Sequence, residues 1–156
     1  MNKRVVMFVM ALICFVTLFT GCEDVPEKGI YKEGTYIGSS EYEYADVHFV
    51  TTAVVYINDL GMIKSVFVDS TYIDGSSATT RKVHKNTNAI DETGEISSIS
   101  WDKQVDLIEK AIIKEQDLNF IKWSNEEKTL TDSIDGVTIP IQDIYNAVSN
   151  ALNQAK

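Results

Sequence analysis

The sequence predicts an α+β domain: an antiparallel sheet with a central hairpin, packed by two helices from the C-terminal half. Three observations carry this. β-Branched and aromatic residues crowd the first half, and turn chemistry at Asn58-Asp59-Leu60-Gly61 divides them. Two apolar stripes at helical spacing follow later. Strands first and helices later argue against a wound parallel sheet.

Taken in order, Tyr31, Thr35, Tyr36 and Ile37 around Gly34 predict a first, irregular strand from Ile30 to Ser39. From Val47 to Ile57 the run of Val47, Phe49, Val50, Val54, Val55, Tyr56 and Ile57 predicts a second. Gly61 is available for positive φ in the turn that follows. Met62 to Tyr72 then resumes the pattern with Ile63, Val66 and Val68, so the two runs form a hairpin. Asp74-Gly75-Ser76-Ser77 breaks it. Ala78 to Ser100 has weak periodicity and many Thr, Asn, Asp and Ser residues, which predicts a long loop with one short strand around Thr80 to His84. A loop this long in a compact domain is often functional. Ser100 suits an N-cap, and Trp101, Val105, Ile108 and Ile112 recur on one face up to Gln116, with Lys103, Asp106 and Lys110 off it. Leu118 to Trp123 and Thr129 to Ile139 predict a short extended segment and a loop. Pro140 suits the first turn of a last helix, whose stripe is Ile141, Ile144, Tyr145, Val148, Leu152 and Ala155.

The N-terminus has a different character. Lys3 and Arg4 precede an apolar run from Val5 to Phe19, shorter than the ~20 residues of a membrane-spanning helix. This is the layout of a secretory signal. It closes in Leu18-Phe19-Thr20-Gly21-Cys22, with small side chains at the cut and a thiol that can take up a diacylglyceryl group. Residues 1–21 are therefore expected to be a lipoprotein signal peptide, with residues 22–29 as lipidated Cys22 and spacer, and residues 30–156 as one domain. Two acyl chains anchor stably where one does not. The expected address is the cell membrane, on the side facing away from the cytoplasm.

Composition narrows the chemistry. Cys14 lies in the discarded run and Cys22 carries lipid, so the mature domain has no thiol for a disulfide or a metal. Two histidines, His48 and His84, are too few for a metal cluster. Removing Lys3 and Arg4 from the 14 basic residues leaves 12 against 23 acidic ones, a balance of −11. Such a chain is not built to hold nucleic acid. Nor does that balance suggest adhesion to anionic lipid through a basic patch, so anchoring falls to the lipid. About 127 residues from Ile30 onward suffice for one core.

Three stretches resemble the extracellular FMN-binding domain family, which includes surface lipoproteins and is related to a flavin-bearing component of the sodium-pumping quinone reductase. Glu33-Gly34-Thr35-Tyr36-Ile37-Gly38 is similar to its opening strand. Val55-Tyr56-Ile57 through Gly61-Met62-Ile63-Lys64-Ser65-Val66 is similar to its hairpin. Asp132-Ser133-Ile134-Asp135-Gly136-Val137-Thr138 is similar to its motif of Asp, two residues, Ser, Gly, Ala, Thr, before a helix. The resemblance implies FMN joined by its phosphate to the Thr138 hydroxyl by a separate flavin transferase. It also implies that Asp132, Asp135, Gly136 and Val137 flank the cofactor. A phosphate suits the approach to a helix N-terminus, and glycine lets backbone come close to it. Asp135 and Val137 depart from the family's Ser and Ala, bringing a carboxylate and β-branched bulk near the acceptor.

The expected function is a redox carrier rather than an enzyme, taking electrons from a membrane donor to an extracellular acceptor. A flavin-free binding or interaction lipoprotein on the same fold is the alternative, favoured by Asp135 and Val137. Tyr72, His84 and Trp101 could flank a flavin ring, although packing is the commoner role for such residues. Arg81, Lys82 and Lys85 could meet a phosphate or the flavin's pyrimidine edge, although a solvated basic patch is the commoner reading. No Ser-His-Asp or paired-carboxylate spacing points to a hydrolase.

Overall fold

The computed structural model describes residues 28–44, 47–74, 77–84 and 97–156. The expected signal peptide, Cys22, most of the spacer and the middle of the long loop, including Lys85, lie outside them. Four strands, β1 (Gly34–Tyr44), β2 (Val47–Ile57), β3 (Ile63–Asp74) and β4 (Ser77–Thr80), form one antiparallel sheet in the order β1-β2-β3-β4. Helices α1 (Trp101–Glu115) and α2 (Gln142–Gln154) cover one face of it. The expected α+β architecture is the one found.

Alternation explains which face is covered. Ala53, Val55 and Ile57 of β2 and Val66 and Val68 of β3 point inward, every second residue, and all are buried. The helices answer with Val105, Ile108 and Ile112 from α1, and Ile144, Val148 and Leu152 from α2. α2 lies over β1 and β2, and α1 lies against β3. Leu152 is 3% exposed in this layer. Leu152→Ala should cost ~2–5 kcal/mol through lost burial and an unfilled cavity. Urea unfolding of the purified domain, with an unchanged slope and a lowered midpoint, would register it.

The turn at Asn58 to Gly61 carries the chemistry expected of it. Gly61 takes φ +75°. Asn58 closes the turn twice, accepting from the Gly61 amide at 2.9 Å through its backbone and from the Met62 amide at 2.9 Å through its side chain.

Side chains from the helices and the end of α1 cap β1 and the first part of β3, which β4 leaves unpaired. On β1, Gln154 Nε2 donates to the Ile37 carbonyl (2.7 Å) and Asn150 Nδ2 to the Ser39 carbonyl (2.8 Å). On β3, the Gln116 amide brackets Ile63, accepting from its N–H at 2.7 Å and donating to its C=O at 2.9 Å. Glu109 accepts from the Val68 N–H at 2.7 Å and pairs with Lys82 Nζ at 2.6 Å. Burial nevertheless holds the Glu109 carboxyl above its ordinary range. Strand segments so engaged are poor templates for a further strand. Gln116 does this from a left-handed conformation, φ 64°, which also stops α1.

Three local expectations need correction. β1 runs from Gly34 to Tyr44 rather than Ile30 to Ser39. Residues before it bond instead to the β2–β3 turn, with Gly29 N–H donating to the Leu60 carbonyl at 2.8 Å. β4 occupies Ser77–Thr80 rather than Thr80 to His84. The chain peels away at Arg81, whose amide donates to the Ser70 carbonyl at 2.9 Å, and at Lys82, whose amide donates to the Asp69 carboxylate at 3.0 Å. Pro140 stands just before the N-cap of α2, not in its first turn. The N-cap is Ile141, non-helical at φ −117°, and its amide donates to the Thr129 carbonyl at 2.7 Å. Ser100 is the N-cap of α1 as expected, and its hydroxyl makes no capping bond.

Candidate functional site

A cavity of about 350 Å³ opens where the strand ends meet the starts of both helices. Its volume lies at the small-ligand end of the usual range of roughly 300–1,000 Å³. Tyr42 of β1, Ser70 of β3, Arg81 beyond β4, Trp101 of α1, and Pro140 and Asp143 at the start of α2 all line it. Four separate elements thus converge on one spot.

Its polar side is a relay of hydroxyls. The buried Thr51 hydroxyl donates to the Asp143 carboxylate, so the Ser70 hydroxyl, 2.6 Å away, donates to Thr51 in turn. Asp143 sits in the first turn of α2, where the helix dipole favours a carboxylate. Across the cavity the Arg81 guanidinium lies over the Trp101 ring, 5.2 Å from its centroid. Arg81 Nε is buried and has no hydrogen-bond partner among the described residues. Burial pushes the Tyr42 phenol above its ordinary range, opposed by the Arg81 charge beside it and reinforced by Asp143.

Thr138 stands next to this cavity, since its successors Ile139 and Pro140 line the wall. The loop that carries it is fastened by one residue. Gln104 of α1 is fully buried, and its Oε1 accepts from the amides of Thr138 (2.7 Å) and Ile139 (3.2 Å). Its Nε2 donates to the Ile99 carbonyl at 2.9 Å and to Ser97 Oγ at 3.1 Å. Thr138 itself is exposed, with its hydroxyl 3.4 Å from Ser97 Oγ. Gln104→Leu keeps the bulk but strands two amides and a carbonyl. It should cost ~2–4 kcal/mol, since each buried unpaired group costs ~1–3 kcal/mol before relaxation. Guanidinium denaturation measures this.

The motif residues divide once folded. The turn Ile134 to Val137 is closed by the Val137 amide on the Ile134 carbonyl at 3.2 Å, with Gly136 at φ +81°. That conformation is the local reason for glycine here. A Cβ at Gly136 would also meet Leu107 Cδ1 at 3.2 Å and Ile99 Cδ1 at 3.3 Å. Apolar side chains, not an open cradle, therefore fill the space by this glycine. Val137 is buried with Ile134 and anchors the turn in the core, whereas the Thr138 side chain next to it is exposed. Asp132 and Asp135 are exposed. Neither lines the cavity.

Of the aromatic candidates, Trp101 lines the cavity, whereas Tyr72 and His84 pack against each other at 4.8 Å and do not. Arg81 is drawn into the cavity wall and Lys82 into its pairing with Glu109, so neither belongs to a solvated patch. Sequence reasoning missed Tyr42, Thr51, Ser70, Gln104 and Asp143. Gln104 did carry a signal, since it is a polar residue three after Trp101 and four before Ile108, inside the apolar stripe.

Trp101 and Tyr42 provide flat apolar surface, and Arg81 brings a positive charge to the wall beside them. These features fit a planar ring with an electron-rich edge, as a flavin has. Among the described residues no group of three or more His, Cys, Asp or Glu side chains could hold a metal ion, and no helix is long and apolar enough to cross a membrane. Compared with known proteins, the chain matches no family model, no curated protein and no solved structure.

Proposed function

We propose that the protein is a lipid-anchored, extracytoplasmic flavin carrier, with FMN esterified at Thr138 and its ring in the adjoining cavity. The observation that carries this reading is an exposed threonine hydroxyl on a loop fixed by a buried glutamine, one residue before the cavity wall. The flavin would supply the redox chemistry. Gln104 would hold the Thr138 backbone still, and Trp101 would give the ring a surface to stack on. Arg81 would pair with negative charge developing on the ring edge. Asp135, exposed on the preceding turn, leaves its charge in water rather than in the cavity.

One observation favours a flavin-free binding module instead. The Thr138 and Ile139 amides are already donated to Gln104, so neither is free for a phosphate, and Asp143 brings a carboxylate into the lining. Protein made in cells that also make the flavin transferase distinguishes the two readings. Visible absorbance that stays with the precipitated protein in acid supports the carrier. A colourless protein, with no flavin recoverable from it, supports the module.

The anchor rests on Phe19-Thr20-Gly21-Cys22. Cys22→Ala should abolish acyl labelling and leave the chain uncleaved or released. Undiminished palmitate incorporation in that variant would refute the lipoprotein reading.

A further inference from the structure

The chain enters the domain at one pole and the cavity opens at the other. Gly29 and Tyr31 bond to the turn between β2 and β3, and Lys32 N–H donates to the Ala155 carbonyl at the end of α2 at 2.7 Å. The cavity is lined by the opposite ends of the same elements: Tyr42 of β1, Ser70 of β3 and Asp143 of α2. The 13 residues of α2 span about 20 Å at 1.5 Å each. Eight steps of β1 from Gly34 to Tyr42 span about 26 Å.

Charge follows the same axis. Exposed Lys28, Lys32, Lys64, Lys114 and Lys156 gather at the entry pole, where Glu33, Asp59, Glu115 and Asp117 are the acidic neighbours. Lys114 and Glu115 there pair at 3.0 Å. At the cavity pole, exposed Glu41 and Glu43 near the end of β1, with Glu126 and Glu127 beside Gln142 at the start of α2, outweigh Lys103 and Lys128. Overall composition concealed this, because the strongly acidic total is not shared evenly between the ends.

We propose that the domain stands with its lysine-bearing entry pole against the lipid headgroups and its cavity turned to the water, so that whatever uses the cavity arrives from the aqueous side. This rests on the anchor at Cys22 and not on flavin. Five residues lie between Cys22 and Lys28, so the six steps that join them reach about 20 Å when fully stretched. Laying the cavity on the bilayer would lift the entry pole by the length of α2, holding the tether at full extension. It would also press the acidic pole onto anionic headgroups. Both effects disfavour that orientation.

Energy transfer to a dansyl lipid in vesicles containing phosphatidylglycerol tests the proposal with the full lipidated protein. The two native tryptophans mark the cavity pole: Trp101 lines the cavity, and Trp123 packs at 5.1 Å on Tyr145 near the start of α2. An Asp59→Trp variant carrying Trp101→Phe and Trp123→Phe moves the donor to the entry pole. Transfer should be several-fold greater from the entry pole, and a 20-residue Gly/Ser insertion after Glu27 should narrow the gap. Should the double replacement fail to fold, adding Asp59→Trp to the native pair should still raise transfer. Protein that floats with the vesicles but transfers equally from both poles overturns the orientation alone. Protein that does not float overturns the anchor, and the orientation with it.

Discussion

Valine at position 38 should unfold the domain. Gly38 lies on the inner face of β1, opposite Ala53 of β2, directly beneath α2. A Cβ there would fall on the carbonyl oxygen of Ala147 and the amide nitrogen of Ala151. These are backbone atoms of the helix and have no rotamer to escape into. Relief would require lifting α2, which carries Ile144, Val148 and Leu152 into the core. Overpacking ordinarily costs ~1–3 kcal/mol where side chains can adjust. Gly38→Ala should reach the top of that range, and Gly38→Val should exceed it, approaching the ~5–15 kcal/mol that holds a whole domain together. Near-UV circular dichroism of Gly38→Val should show no fixed aromatic environment. Ser39→Val, one residue along on the exposed face, is the control and should change stability by less than about 0.5 kcal/mol. A Gly38→Val protein as stable as its parent would mean that α2 does not sit on β1 this closely.

Thr138→Val should eliminate acid-stable flavin while leaving the fold intact. Valine nearly preserves the shape and loses the hydroxyl, the atom on which a phosphoester depends. The backbone amide that ties this position to Gln104 remains. The lost contact to Ser97 is long, 3.4 Å at an exposed site, so melting should shift little. Mass spectrometry of the peptide containing Thr138 reads the outcome directly. An FMN-sized increment in the parent, absent in the variant, supports the carrier, whereas its absence from both supports the flavin-free module. The neighbouring departures from the family pattern now separate. Asp135→Ser removes an exposed charge and should leave flavin content equal or higher. Val137→Ala opens a hole in the core and should cost about 2 kcal/mol without changing attachment.

The sequence by itself determined the layer architecture, because that depends on periodicity. β2 could be placed from Val47 to Ile57 because β-branched residues fill it, and both helices were legible because their stripes repeat every three to four residues. Gly61 was legible as a turn residue because the constraint on its φ is local. Strand limits in β1 and β4 depended on pairing partners instead. Ser40 to Tyr44 is strand because Thr51 back to Val47 lies beside it, and nothing within the segment announces that neighbour. Thr138 could be named from a motif, but only the tertiary structure could turn Val137 inward, leave Asp132 and Asp135 in water and bring Gln104 beneath the loop. The cavity was wholly a tertiary decision. Tyr42, Ser70, Arg81, Trp101 and Asp143 are scattered over a hundred residues, and their convergence depends on where strands end and helices begin. The separation of lysines from carboxylates has the same origin. Total charge is a property of composition, but its distribution follows from which ends of the strands and helices the fold sets side by side.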